Sequence, residues 1–208
     1  MQPGRYLGSI LLADISGYTR FLEEVQTAHS DDAFADGRIP PAYAMMAGLL
    51  EGIAETVEPP FTVLKFEGDA VFAVAAEAEM PGGDGIVDCV RHCYTDFMER
   101  RAAAGAIWTC TCDACSRSET LDLKFILHHG EFFVQQVGAH TDAVGPEINV
   151  AHRLLKNGAV TVLGTTGYAL ITGEMVTALD ISLPDAVGLT ETVDSGRVIS
   201  AQAIALTP

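Results

Sequence analysis

The sequence predicts an α+β fold in which a mixed or mostly antiparallel sheet carries helices on one face. Short β-rich runs alternate with amphipathic helical segments, in the order βααβ, then β-α-β-β-α-β and a final hairpin. Neither an internal repeat nor a linker divides the 208 residues, and 49% of them are hydrophobic. A single domain over residues 1–208 with a full core is therefore expected.

The N-terminal third is predicted to hold a central strand and two helices. Residues 8–15 are apolar on both faces, which is typical of a strand buried inside a sheet. A turn leads into a helix over residues 18–26, and Pro41–Val57 repeats apolar side chains at helical spacing. Residues 27–40 between them are polar and predict a surface loop, which is either a lid over a site or a simple insertion.

The rest of the chain predicts a hairpin over residues 62–74 and a long helix over 84–104. Two strands joined at Gly130 follow over residues 124–137, and then a short helix over 147–155. Beyond Gly158 the sequence is again β-rich, with an apolar run, a short helix and a final hairpin over residues 159–163, 173–179 and 187–206. We expect a core at about 8–160, a cysteine-containing insertion at about 105–122 and a β-rich extension at 160–208.

The composition excludes some partners. There are 28 acidic and 12 basic residues, which gives a net charge of −16. This balance argues against nucleic acid and against an anionic membrane surface as partners, and a bound polyphosphate would need local cations. The sequence contains no membrane-length apolar stretch and no basic segment leading into an apolar secretion signal, so a cytoplasmic, reducing location is expected. The cysteines are then thiols or metal ligands rather than disulfides.

A cysteine cluster forms the pattern C-x-C-x2-C at Cys110, Cys112 and Cys115. Thiolates presented from a tight turn suit a soft tetrahedral ion, so we predict a structural zinc site with Cys93 as the fourth ligand. Cys89, His92 or a histidine from elsewhere are alternative fourth ligands. The competing interpretation is a loop of reduced thiols that binds no ion.

Charged residues also stand out in three apolar segments. Asp14 ends the first strand, where it is either a ligand-binding carboxylate or a helix cap. Lys65 and Asp69 flank the tip of the first hairpin, where they either bind a ligand or form a surface ion pair. Asn149 and Arg153 are four residues apart on a helix, a donor pair suited to a phosphate, although a solvated helix face is the simpler explanation.

Taken together, the segments LLADISGYTRFL, LKFEGDAVFAV and DAVGPEINVAHRLL resemble the class III nucleotidyl cyclase catalytic domain. They are similar, in order, to its two metal-binding segments and to its segment for base recognition and the transition state. The resemblance covers about residues 9–155 and implies the ferredoxin-like nucleotidyl cyclase fold. The cysteine cluster is not a general feature of that family.

The resemblance implies roles residue by residue. Two Mg²⁺ or Mn²⁺ ions per site would bind Asp14, Asp69 and the Ile15 carbonyl. Purine and substrate recognition would fall to Lys65, Asp142 and Thr19, and the reacting ribose and phosphate to Asn149 and Arg153. We find no clear lysine for the terminal phosphates, and Arg197 is a weak substitute.

The resemblance further implies an adenylate cyclase, a phosphorus–oxygen lyase that converts ATP to cyclic AMP and pyrophosphate. Its sites would lie between the two copies of an antiparallel homodimer, and a monomer would be inactive. Two alternatives stay open. One is a cyclase-like module that binds a nucleotide or a protein with weak or no turnover. The other is hydrolysis of a nucleotide at the same two-metal site.

Overall fold

The computed structural model describes residues 1–29, 41–107, 110–193 and 196–208. In this part of the chain, eight strands form one sheet: β1 (Gly4–Ser16), β2 (Thr62–Glu67), β3 (Ala70–Ala76), β4 (Asp122–Val137), β5 (His140–Val144), β6 (Tyr168–Thr172), β7 (Val187–Thr192) and β8 (Val198–Ala205). The order is β2-β3-β1-β4-β6-β8-β7, and β5 pairs with β4. Only the β4–β6 pair is parallel among these pairings, which confirms the mostly antiparallel sheet.

The helices are α1 (Tyr18–Ala28), α2 (Pro41–Val57), α3 (Gly83–Ile107), α4 (Asp113–Ser116), α5 (Pro146–Arg153), α6 (Ala159–Leu163) and α7 (Gly173–Leu179). Short 3₁₀ turns lie at Glu77–Glu79 and Arg117–Thr120. No helix within the described ranges has both the length and the apolar character needed to cross a bilayer.

The core has two parts because successive side chains of β1 point to opposite faces of the sheet. Leu11 and Ala13 pack with the long helices α2 and α3 and with α1 and α7, as predicted for the covered face. Ile10 and Leu12 pack on the other face against Ile148 of α5 and its neighbours. The short helices α5 and α6 therefore cover part of the second face, which the sequence prediction did not include.

Gly130 is not a turn, and the predicted division of residues 124–137 into two strands is wrong. β4 runs through Gly130, which pairs with Gly8 of β1. A Cβ atom at Gly130 would lie 2.5 Å from the Glu147 side chain, so this glycine makes room for α5. Glycine is common both in turns and at close approaches, so the sequence alone does not distinguish the two.

The β-rich prediction for residues 159–163 is also wrong. Asn157 Oδ1 accepts a hydrogen bond from the Ala159 N–H at 2.8 Å, and Gly164 ends α6 with a φ of 72°. The strand in this region is β6, at Tyr168–Thr172, which pairs in parallel with β4 and antiparallel with β8. The predicted pairing of the last two strands is confirmed. We expected their turn at residues 194–196, of which 194–195 lie outside the described residues. Most of the predicted loop at 27–40 also lies outside them.

Candidate active site

Asp14 and Asp69 come together at one end of the sheet. Asp14 lies near the end of β1 and pairs with Ala70, the first residue of β3, while Asp69 occupies the turn before β3. The Ile15 N–H donates to the Asp69 carbonyl at 3.0 Å, which fixes the two segments side by side. Burial, together with the negative charge of Asp14, raises the pKa of Asp69. Two neighbouring carboxylates that repel each other fit a divalent cation.

Lys124 is a functional candidate that the sequence analysis missed. It pairs with Asp14 across β1 and β4, and its Nζ lies 3.1 Å from Asp14 Oδ1 and 3.5 Å from the Leu155 carbonyl. A lysine in an otherwise apolar strand was the available signal, but its partner becomes evident only from the register of two strands more than a hundred residues apart. Lys124 places a positive charge beside the carboxylates.

Lys65 and Asp142, the predicted base-reading pair, are in contact. Lys65 Nζ lies 3.0 Å from Asp142 Oδ1 and 3.0 Å from Glu67 Oε1. The same nitrogen lies 5.3 Å from the centroid of the Phe72 ring. Burial lowers the pKa of Lys65, but the hydrogen bonds to Asp142 and Glu67 outweigh it, so this pKa is raised. Lys65 is therefore a charged donor held in place between two acceptors.

The donor pair on α5 faces a cavity. A space of about 440 Å³ is bounded by α5, the residues after it and β7: Asn149, His152, Arg153, Leu154, Lys156, Glu191, Thr192 and Val193. His152 connects α5 to the first hairpin, because its Nδ1 lies 3.4 Å from Glu67 and its ring lies 5.3 Å from that of Phe72. Asp14 and Asp69 do not line this cavity. Thr19 is exposed in the first turn of α1.

Arg197, the substitute candidate for the terminal phosphates, is bound to carboxylates. Its guanidinium donates to Glu147 at 2.7 and 2.9 Å and to Glu174 at 2.9 Å. Glu147 also lies 2.7 Å from Nε2 of His128, a fully buried histidine whose Nδ1 is 2.9 Å from Thr172 Oγ1. Because these contacts tie α5 to the sheet, they argue against Arg197 as a phosphate ligand.

The predicted zinc ligand Cys93 lies apart from the cysteine cluster. Its thiol points to the Ile53 carbonyl at 4.0 Å in the core, where burial raises its pKa. The donor atoms that gather within 4.8 Å of one another belong to His29, Cys110, Cys112 and Cys115. His29 fits the alternative of a histidine from elsewhere in the chain. The sequence did not single out this histidine, because it lies more than eighty residues before the cluster and a lone histidine after a helix carries no signal of its own.

A family profile described as "Protein of unknown function (DUF2652)" matches residues 46–162. The chain belongs to this family. The matched DUF2652 segment contains the hairpin, the cysteine cluster and α5, whereas Asp14 and His29 precede it. One relative, "Uncharacterized protein Rv2561/Rv2562" of Mycobacterium tuberculosis (strain ATCC 25618 / H37Rv), is 30% identical over 141 residues, or 66% of this chain. The match spans 62% of that relative's length.

Solved structures similar to this DUF2652 protein include nucleotidyl cyclases. The adenylyl cyclase CyaB from P. aeruginosa matches with a TM-score of 0.65 and 16% identity, over 100% of this chain and 98% of that one. The guanylyl cyclase Cya2 matches with a TM-score of 0.67 and 15% identity, over 100% and 96%. At this identity the comparison establishes the fold, and the DUF2652 chain has the fold of a cyclase domain.

Proposed function

We propose that the protein is a divalent-metal-dependent nucleotidyl cyclase that converts ATP to cyclic AMP and pyrophosphate. The observation that carries the proposal is the meeting of Asp14 and Asp69 at the edge of β1 and β3. These carboxylates are far apart in sequence, and burial together with the negative charge of Asp14 raises the pKa of Asp69. A pair of carboxylates that disfavours its own full ionisation gains most from a bound cation.

The reaction joins the ribose 3′ oxygen to the α-phosphorus while the bond from that phosphorus to pyrophosphate breaks. Divalent ions held by Asp14 and Asp69, with the Ile15 carbonyl as a further ligand, would supply charge neutralisation and an activated oxygen. Lys124 adds a protein cation at the same place, since it already lies 3.1 Å from Asp14. These groups would account for how so acidic a chain binds a polyanion.

The hairpin residues favour adenine as the base. Adenine presents an acceptor at N1 and a donor at its exocyclic amine, so it matches a lysine donor beside an aspartate acceptor. Lys65 Nζ and Asp142 Oδ1 already lie 3.0 Å apart. Guanine reverses this donor and acceptor pattern and would not match the lysine donor and the aspartate acceptor. Thr19, at the start of α1, is a further candidate for substrate contact.

Asn149 and Arg153 are proposed to hold the ribose and to meet the charge that develops on the phosphate oxygens. The cavity that they line does not include the metal carboxylates, which supports a site completed by a second copy. We infer an antiparallel homodimer in which each site takes its carboxylates from one copy and its other groups from the second copy. Apolar side chains exposed on β2, β4 and β5 support a covered surface there: Phe66, Phe133, Val137 and Val144.

A nucleotide-binding module with little turnover is the second candidate. The contacts of Arg197 favour this candidate. Glu147 and Glu174 hold its guanidinium, so Arg197 is not a clear C-terminal cation for the terminal phosphates. For a cyclase, Lys124 would have to supply the positive charge that Arg197 does not. A loss of turnover on replacing Lys124 would therefore support the cyclase over the binding module.

The test is incubation of the purified protein with Mn²⁺ and either ATP or GTP, followed by chromatography of the products. We expect cyclic AMP and pyrophosphate from ATP. Asp14→Asn should lose this activity. Asp84→Asn should keep the wild-type activity, because Asp84 is an exposed acidic residue of α3. AMP or ADP as the product would replace the cyclase with a hydrolase. A folded dimer that binds ATP but forms no product would favour the binding module.

A further inference from the structure

The cysteine cluster and His29 join two distant segments at one point. His29 directly follows α1, and Cys110, Cys112 and Cys115 lie before and within α4. The separation along the chain between His29 and Cys110 is 81 residues. Cys115 is buried, and the other three are half-buried. This group of four is called the Cys3His cluster below.

The distances in the Cys3His cluster indicate a common centre. His29 Nε2 lies 3.6 Å from the sulfur of Cys110, 3.3 Å from that of Cys112 and 3.3 Å from that of Cys115. A neutral imidazole nitrogen has a single proton or a single lone pair, so it does not form three hydrogen bonds at once. One nitrogen nearly equidistant from three sulfurs is the apex of a tetrahedron.

The size of that tetrahedron matches zinc. With a Zn–N distance of about 2.0–2.1 Å and a Zn–S distance of about 2.3 Å, tetrahedral angles place nitrogen and sulfur about 3.5 Å apart. The three observed separations are 3.3 to 3.6 Å. All four donor atoms lie within 4.8 Å of one another, and the five cysteines of the chain are free thiols.

We propose that His29, Cys110, Cys112 and Cys115 bind one zinc ion as a closed structural site. Four protein ligands complete the tetrahedron and leave no position for water or substrate, so the ion has no catalytic role. Three thiolates and an imidazole are a soft donor set that prefers zinc to the hard cations expected at Asp14 and Asp69. The thiols release their protons as the ion binds.

The ion has a specific mechanical role, because it ties the end of α1 to α4. Among its described side chains, α1 buries only Phe21 and Val25. A further polar contact across this junction is the ion pair of Glu24 with Arg117, at 2.5 Å, and both side chains are partly exposed. α1 begins directly after the turn that follows Asp14. Zinc therefore holds the helix that continues from the proposed magnesium-binding strand.

The first experiment measures metal in the wild-type protein, purified without a metal-affinity tag and passed over a chelating resin. We expect about one zinc per chain by elemental analysis. Replacement of zinc by Co²⁺ should give the visible d–d and near-ultraviolet thiolate absorption of a tetrahedral site. Stripping the zinc should lower the melting temperature and speed alkylation of Cys110, Cys112 and Cys115.

Variants identify the ligands. His29→Ala and Cys112→Ser should lower the zinc content severalfold, and His29→Cys should retain zinc because four cysteines also form a tetrahedral site. If His29 only filled space and did not bind zinc, the His29→Cys variant would not be expected to keep its zinc when His29→Ala loses it. Cys89→Ser is the matched control, since this cysteine lies outside the cluster and should leave the zinc content unchanged.

The proposal is overturned by less than about a tenth of an equivalent of zinc in protein whose three clustered thiols alkylate freely. A disulfide between two of these cysteines in freshly purified protein would also overturn it. Where a variant does not fold, the zinc count, the cobalt spectrum and the alkylation rates of the wild-type protein decide the matter. None of these measurements depends on nucleotide turnover, so a failed cyclase assay leaves the zinc result intact.

Discussion

Exchange of Asp142 for asparagine separates the role of the Lys65–Asp142 pair in stability from its role in binding ATP. The two side chains are 38% and 31% exposed, so their ion pair contributes only about 0–1 kcal/mol to the free energy of unfolding. Lys65 also keeps its contact with Glu67 at 3.0 Å. The melting temperature of Asp142→Asn should therefore change little.

The loss in ATP affinity should be larger. Asparagine keeps a neutral acceptor, so the variant loses the difference between a hydrogen bond to an ionised carboxylate, about 1.5–3 kcal/mol, and one to a neutral acceptor, about 0.5–1.5 kcal/mol. A difference of about 1–1.5 kcal/mol corresponds to an increase in Kd of about 5- to 13-fold. Isothermal titration with a non-cyclisable ATP analogue and Mn²⁺ measures this change. Affinity for inorganic tripolyphosphate, which has no base, should stay at the wild-type value.

Glu131→Gln is the matched control, because Glu131 also forms a partly exposed ion pair, with Arg5 on β1. This variant should keep the wild-type affinity for the ATP analogue. An Asp142→Asn protein that is folded and dimeric and binds the analogue as tightly as the wild type would refute the assignment of Asp142 to base recognition. Equal losses for the analogue and for tripolyphosphate would refute it as well.

Two further substitutions test the site and the fold. Asp69→Asn should raise the melting temperature of the metal-free protein at neutral pH, because the raised pKa means that folding disfavours the charged form. The gain in melting temperature should disappear as the pH falls below the ordinary pKa of aspartate. Mn²⁺ should no longer stabilise the variant. A melting temperature that Mn²⁺ raises as much as in the wild type would exclude Asp69 as a ligand. Gly130→Ala should cost about 1–3 kcal/mol in urea unfolding, since its Cβ would lie 2.5 Å from Glu147. Gly188→Ala, in β7 with no atom within 4 Å of the added Cβ, is the control, and equal stability of both variants would contradict the close approach.

Local patterns predicted the elements whose environment is visible in the sequence. Residues 10–15 are apolar at every position but Asp14, and they lie at the centre of the sheet with both faces covered. The apolar spacing of Pro41–Val57 gave the exact bounds of α2. The predicted helix at 147–155 begins one residue after α5, which starts at Pro146, and extends two residues beyond its end.

Other features depend on contacts between distant residues. The close approach of the Glu147 side chain requires Gly130, and the hydrogen bond that Asn157 Oδ1 accepts from the Ala159 N–H lies at the start of the helix over 159–163. Lys124 reaches Asp14 through strand register, and His29 reaches the cysteines across 81 residues. Periodicity and composition contain no information on such pairs. The carboxylate and base-reading pairs were predictable only because three segments resembled a known family together.

The measurement that tests the shared site most directly mixes two inactive variants, Asp14→Asn and Arg153→Ala. If each site takes its carboxylates from one copy and Arg153 from the other, a mixed dimer contains one intact site. Random subunit exchange then restores about a quarter of the wild-type rate of cyclic AMP formation, because half of the dimers are mixed and each has one of two sites. Two different affinity tags verify that the mixed dimer forms. A verified mixed dimer that is as inactive as either parent would contradict a site built from two copies.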